Sequence, residues 1–151
     1  LKAGKIKGCT DNRAGKTGKR KDFMYKLIEK EEWLCKEIVD CAFKVHKALG
    51  PGLLEKIYEV CFCHELKKKG INYLRQVYLP INYDGLLFDE GLRLDVLVDD
   101  LIICELKALD IVNPVWEAQI LSHLKLTEKH VGFLINFNVV KIKNGRRYCL
   151  E

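Results

Sequence analysis

Arg93-Leu94-Asp95-Val96-Leu97-Val98, then Asp99-Asp100-Leu101, then Ile102-Ile103-Cys104-Glu105-Leu106-Lys107 is the most informative run of this chain. Successive side chains of a strand point to opposite faces, so Leu94, Val96 and Val98 are expected on one face of a first strand. Ile102, Cys104 and Leu106 are expected on one face of a second. Burying both sets against one core restricts the register: partner numbers must sum to an even value. A three-residue loop at 99–101 then sets Val98 opposite Ile102 and Asp95 opposite Glu105. A two-residue loop would put Asp95 opposite Cys104 and scramble both faces unless a bulge restored the parity. The apolar pattern itself drives two carboxylates together, with Lys107 beside them and Arg93 expected on the face of Asp95.

Opposed like charges destabilise a sheet, by about 4 kcal/mol at ~4 Å for an effective dielectric of about 20. Lys107 supplies one compensating charge, and a divalent cation would supply two more. Carboxylate oxygens together with retained waters are the ligands Mg²⁺ favours, and Mn²⁺ accepts the same set. The alternative is a solvated strand face carrying an ordinary Asp–Lys or Glu–Lys pair.

Outward from this run, the period of two extends back over 73–83, with Asp84-Gly85 as a tight hairpin turn and 87–98 as the partner strand. A third strand is expected over 101–108. Before it, apolar residues recur at Leu27, Leu34, Ile38, Cys41, Val45 and Leu49, a helical spacing that starts after Asp22 as N-cap and stops at Gly50-Pro51-Gly52. A second helix is expected from about 53 to 69, stopped by Gly70. Pro114 opens a helix to about 129, the apolar run 131–137 reads as a strand, and a last strand pair is expected around Asn144-Gly145. Antiparallel strands followed by strand–helix–strand predict an α/β domain, a mixed sheet of about five strands flanked by helices.

The chain has 151 residues and a formal charge of +5, but the charge is unevenly placed. Residues 1–21 hold eight Lys/Arg against one acid, with almost no apolar residues, and are expected to be a disordered basic tail. Residues 22–151 hold 18 bases against 20 acids, so the domain is nearly neutral and its net charge does not argue for tight, non-specific duplex binding. The tail contains Ala14-Gly15-Lys16-Thr17, but Thr10 stands where a phosphate loop requires its first glycine. Seven cysteines without framework spacing read as free, mostly buried thiols in a reducing, cytoplasmic setting. Cys61-Phe62-Cys63-His64 does not make a zinc site, because cysteines two apart on a helix diverge and no second ligand pair follows. No apolar run reaches the ~18 residues of a membrane span.

Three further segments supply polar groups. Glu55 and Tyr58 share a helical face, and Gln119 and His123 lie one turn apart on the later helix. Each has a plainer reading: Glu55 at N3 answering the helix dipole if Gly52 is the N-cap, and Gln119 with His123 as a polar helix edge. His46 would complement the end of its own helix.

With these segments in order, residues from about 31 to 150 resemble the GxxExxY proteins, a family assigned to the PD-(D/E)XK nuclease superfamily. The naming motif stands as Gly52, Glu55 and Tyr58; the nuclease core as Asp95 with Glu105-Leu106-Lys107; the following helix as Glu117-Ala118-Gln119; and the late strand as Gly132-Phe133-Leu134-Ile135-Asn136-Phe137. The resemblance implies a restriction-endonuclease-like fold, with Asp95 and Glu105 as metal ligands, Lys107 near the attacking water, and Glu55 and Gln119 as supporting catalytic residues. Two positions depart from the family's pattern: His123 stands where a Tyr is expected, and Trp116 where a polar residue is usual. The function expected is that of a Mg²⁺- or Mn²⁺-dependent phosphodiesterase acting on DNA or RNA, with Arg93, Tyr58 and His123 as substrate contacts. The alternative is a non-catalytic module that binds nucleic acid or protein on the same fold. A homodimer is left open, and no membrane partner is expected.

Overall fold

The computed structural model describes residues 27–111, 113–142 and 146–149. The basic tail, its Cys9 and the Asp22 cap lie outside them. Helix α1 (Glu29–Leu49) and helix α2 (Glu55–Lys68) precede the long hairpin β1 (Tyr73–Tyr83) and β2 (Leu86–Val98). Then come β3 (Ile102–Lys107), α3 (Val115–Thr127), β4 (Val131–Asn136) and β5 (Arg146–Cys149). Leu27 and Ile28 are not helical, so α1 begins later than its apolar spacing suggests. Its entry is closed by Glu31, whose carboxylate accepts the Ile28 N–H at 3.0 Å, while acidic residues crowd the first turn.

The five strands form one mixed sheet in the order β1-β2-β3-β4-β5. Only β3 and β4 run parallel, joined through α3; the other neighbours are antiparallel. The turn expected at Asn144-Gly145 for a final strand pair lies outside the described residues. Residues 138–142 are not strand, and β5 pairs instead with β4, which completes the apolar strand's second edge.

Each face of the sheet carries its own core. On one face, Val96, Val98, Cys104, Leu106, Phe133 and Ile135 pack with Leu34, Ile38, Tyr58 and Phe62 of α1 and α2. On the other, Leu92, Leu94, Leu97, Ile103 and Leu134 pack with Trp116, Ile120 and Leu124 of α3. α3 approaches β4 closely at Gly132, where a Cβ would stand 2.9 Å from Ile120 Cδ1. The cysteines follow the same packing: Cys35, Cys41, Cys63 and Cys104 are buried free thiols, and burial pushes Cys63 up to about 12. In Cys61-Phe62-Cys63-His64, Phe62 and Cys63 are buried in the core, Cys61 is half-buried against it and His64 is exposed. No helix of the described residues is long and apolar enough to cross a membrane.

Register follows parity where the central turn sets it. Val98 pairs with Ile102, Leu97 with Ile103 and Val96 with Cys104. Asp99 and Asp100 both take left-handed conformations, φ 51° and 56°, and the Leu101 N–H closes onto Val98 O at 3.0 Å. Short polar side chains tolerate that region best, which is why two aspartates stand there.

Candidate active site

The β2/β3 ladder stops at Val96↔Cys104. The next inward donor, the Leu106 N–H, is taken by Asp95, whose Oδ2 accepts it at 2.9 Å. Asp95 has therefore turned its carboxylate into the place where the next rung would lie, and the two strands part around it. This break moves two residues from where alternation puts them. Leu94 packs in the α3 core with Leu92 and Leu97, not with Val96 and Val98. Arg93, between Leu92 and Leu94, consequently leaves the face expected for it. A matching irregularity occurs on β1, where Gln76 has φ 50° and both Arg75 and Gln76 reach Glu59 of α2.

Glu105 projects from β3 on the side of Ile103, toward α3, and is 1% exposed. Its Oε1 accepts a hydrogen bond from His123 Nδ1 at 2.7 Å. Its Oε2 is buried with no hydrogen-bond partner among the described residues. Lys107 Nζ stands 3.7 Å from that oxygen and 3.8 Å from Asp95 Oδ2, too far for a hydrogen bond to either but close enough for its positive charge to offset theirs. Burial, then the charge of Glu105, push the Asp95 carboxyl up to about 7; the Leu106 N–H and Lys107 oppose this, and Glu55 adds to it.

The residues expected to support the site lie on helices packed against opposite faces of the sheet. Glu55 is the first residue of α2, not its third, since Leu54 is the N-cap. It is half-buried, and its charge is felt at Asp95 from the α1/α2 side. Gln119 is half-buried on α3, one turn before His123. Arg93 is exposed; its hydrogen bond with Tyr78 across the hairpin, and then the charges of Asp95 and Glu105, raise its already high pKa further.

Two of the expected substrate contacts are buried. His123 is 5% exposed and stands behind Glu105. Tyr58 is fully buried, stacked on Phe137 at 4.7 Å with its hydroxyl donating to Gly50 O at 2.6 Å and accepting from Leu53 N at 3.1 Å. It ties the Gly50–Leu53 turn, in which both glycines have positive φ, and so holds the start of α2 where Glu55 sits. Trp116 is likewise a core residue of the α3 face. Tyr58→Phe should cost roughly 1–3 kcal/mol, seen as a lowered thermal midpoint, with nucleic-acid affinity unchanged. Lost affinity at an unaltered midpoint would restore Tyr58 as a contact.

Sequence reasoning did not anticipate the His123–Glu105 bond or the Leu106 N–H. The first had a signal: a carboxylate on a buried strand needs a partner, and His123 follows Gln119 on one helical face.

An orphaned buried carboxylate oxygen, a second carboxylate with one oxygen committed, and an all-oxygen donor set fit a small divalent cation coordinated otherwise by water and phosphate oxygens. No curated protein and no solved structure matches the chain. A family model described as the PD-(D/E)XK nuclease superfamily matches residues 32–148, from the first turn of α1 into β5. Its members are typically nucleases, acting on nucleic acid and generally using divalent metals. The match spans most of the chain, and the five-strand mixed sheet with its three helices agrees with the restriction-endonuclease-like fold; the chain belongs to the PD-(D/E)XK nuclease superfamily.

Proposed function

We propose that this protein is a Mg²⁺- or Mn²⁺-dependent phosphodiesterase that cleaves DNA or RNA, of the GxxExxY kind within its superfamily. The observation that carries this reading is the buried Glu105 Oε2, which has no hydrogen-bond partner among the described residues yet faces Lys107 beside Asp95. Leaving such an oxygen unsatisfied costs stability, and a protein keeps that cost where a ligand removes it.

Asp95 and Glu105 would hold the cation with one oxygen each. A divalent ion supplies Lewis acidity there, lowering the pKa of water and neutralising charge on the scissile phosphate. Lys107, on the last residue of β3, orients the attacking water and meets the negative charge that develops on the phosphate. Glu55 and Gln119 wall the site from opposite faces of the sheet, and exposed Arg93 meets a flanking phosphate.

The test is a titration of Mg²⁺ and Mn²⁺ with single- and double-stranded DNA and RNA, on the parent and on Glu105→Ala. Cleavage of at least one substrate is expected, stopped by chelation and lost in the variant. Binding without turnover under every metal would make the protein a non-catalytic module.

A further inference from the structure

Each carboxylate of the site has one oxygen already committed. Asp95 Oδ2 is held by the Leu106 N–H, a backbone donor that no side-chain change short of proline removes. Glu105 Oε1 is held by His123 Nδ1, a donor that a single substitution does remove. The histidine is not adjustable in place: it is buried, Thr127 Oγ1 donates to its carbonyl at 2.7 Å, and its helix is seated on β4 at Gly132. The carboxylate it holds therefore presents Oε2 as its uncommitted oxygen, with Oε1 turned to the histidine.

The number of oxygens a carboxylate offers discriminates between cations. Ca²⁺ takes six to eight oxygen ligands and readily uses both oxygens of one carboxylate, whereas Mg²⁺ demands octahedral geometry and keeps several waters. Partners behind a ligand fix its orientation, and losing one typically weakens metal binding about 10- to 100-fold. We infer that His123 is a positioning residue that holds Glu105 to one-oxygen ligation and thereby favours a small octahedral cation over Ca²⁺. This rests on the metal-binding reading of Asp95 and Glu105 given above.

The experiment measures Mn²⁺ binding directly, by the electron paramagnetic resonance of the unbound ion, with Mg²⁺ and Ca²⁺ as competitors and no nucleic acid. It compares the parent with Glu105→Ala, His123→Leu, His123→Asn and His123→Gln, each checked for its fold by circular dichroism. The Asn amide reaches where Nδ1 lies, while the Gln amide extends past it. Expected are parent binding that Mg²⁺ competes better than Ca²⁺, loss in Glu105→Ala, and a roughly 10- to 100-fold weaker Mn²⁺ affinity in His123→Leu and His123→Gln. In those two the advantage of Mg²⁺ over Ca²⁺ should shrink, and His123→Asn should recover both affinity and preference. If His123→Leu does not fold, Asn against Gln carries the same comparison. Parent affinity and ion order in His123→Gln would overturn the role of His123 while leaving the metal site standing. Absence of Mn²⁺ binding by the parent, or its persistence in Glu105→Ala, would instead overturn the metal site and this inference with it.

Discussion

Lys107→Ala should lower the cleavage rate constant by roughly 10²–10³-fold while changing the apparent affinity for nucleic acid little. Its ammonium lies within 4 Å of both carboxylates but makes no close hydrogen bond with either, so it is not consumed in holding the fold. An interaction that strengthens only as charge develops on the phosphate is felt in the rate and not in ground-state binding. Single-turnover cleavage with a parallel binding titration separates the two. A variant that cleaves at the parent rate would remove Lys107 from the chemistry, and one that loses affinity and rate together would make it a phosphate-binding residue.

The second large effect is on stability. With its carboxyl pushed up to about 7, against about 3.9 in an unfolded chain, Asp95 binds its proton more tightly folded than unfolded. Its contribution is therefore fully present below about pH 4 and is lost as pH rises through about 7. Above that, the metal-free protein carries a buried carboxylate beside Glu105 that Lys107 compensates only in part. Asp95→Asn stays neutral and can still accept the Leu106 N–H. Without metal, its thermal midpoint should match the parent near pH 4 and exceed it by roughly 5–10 °C at pH 8, since three pKa units correspond to at most about 4 kcal/mol and 1 kcal/mol to about 2–4 °C in a domain of this size. Added Mg²⁺ should raise the parent's midpoint at pH 8 and leave the variant's unmoved. A gap that does not change between pH 4 and pH 8 would show that Asp95 is not held under this electrostatic load.

What could be read beforehand divides along physical lines. The register at Val98↔Ile102 was legible because parity is a one-dimensional rule and the turn length is written in the chain. So were the Asp84-Gly85 turn and the helix stops at glycine, where local conformational preference decides. The faces of Leu94 and Arg93 were not legible, because alternation holds only while the ladder does, and the ladder ends at Val96↔Cys104. Nothing local announces that a side chain will take the next backbone donor. The burial of Tyr58 and His123 was equally out of reach: a polar residue on a helix face reads the same whether it meets a ligand or another part of the chain. The basic tail dominated the net charge yet carried no information on where the carboxylates would stand.

The turn at Asp99–Leu101 also says where this chain can change length. One residue added or removed there would rotate β3 by one side-chain position, sending Glu105 into the α1/α2 core and Cys104 toward α3. No later element could undo that, since β3 is paired on both sides. The β1/β2 hairpin behaves differently: its pairing already slips between Leu79↔Leu92 and Ile81↔Phe88, so the outer hairpin keeps a register of its own. Relatives of this protein should therefore vary freely in length around Asp84-Gly85 while the spacing from Asp95 to Glu105 stays constant, and an alignment that places a gap between those two carboxylates will have misplaced one of them.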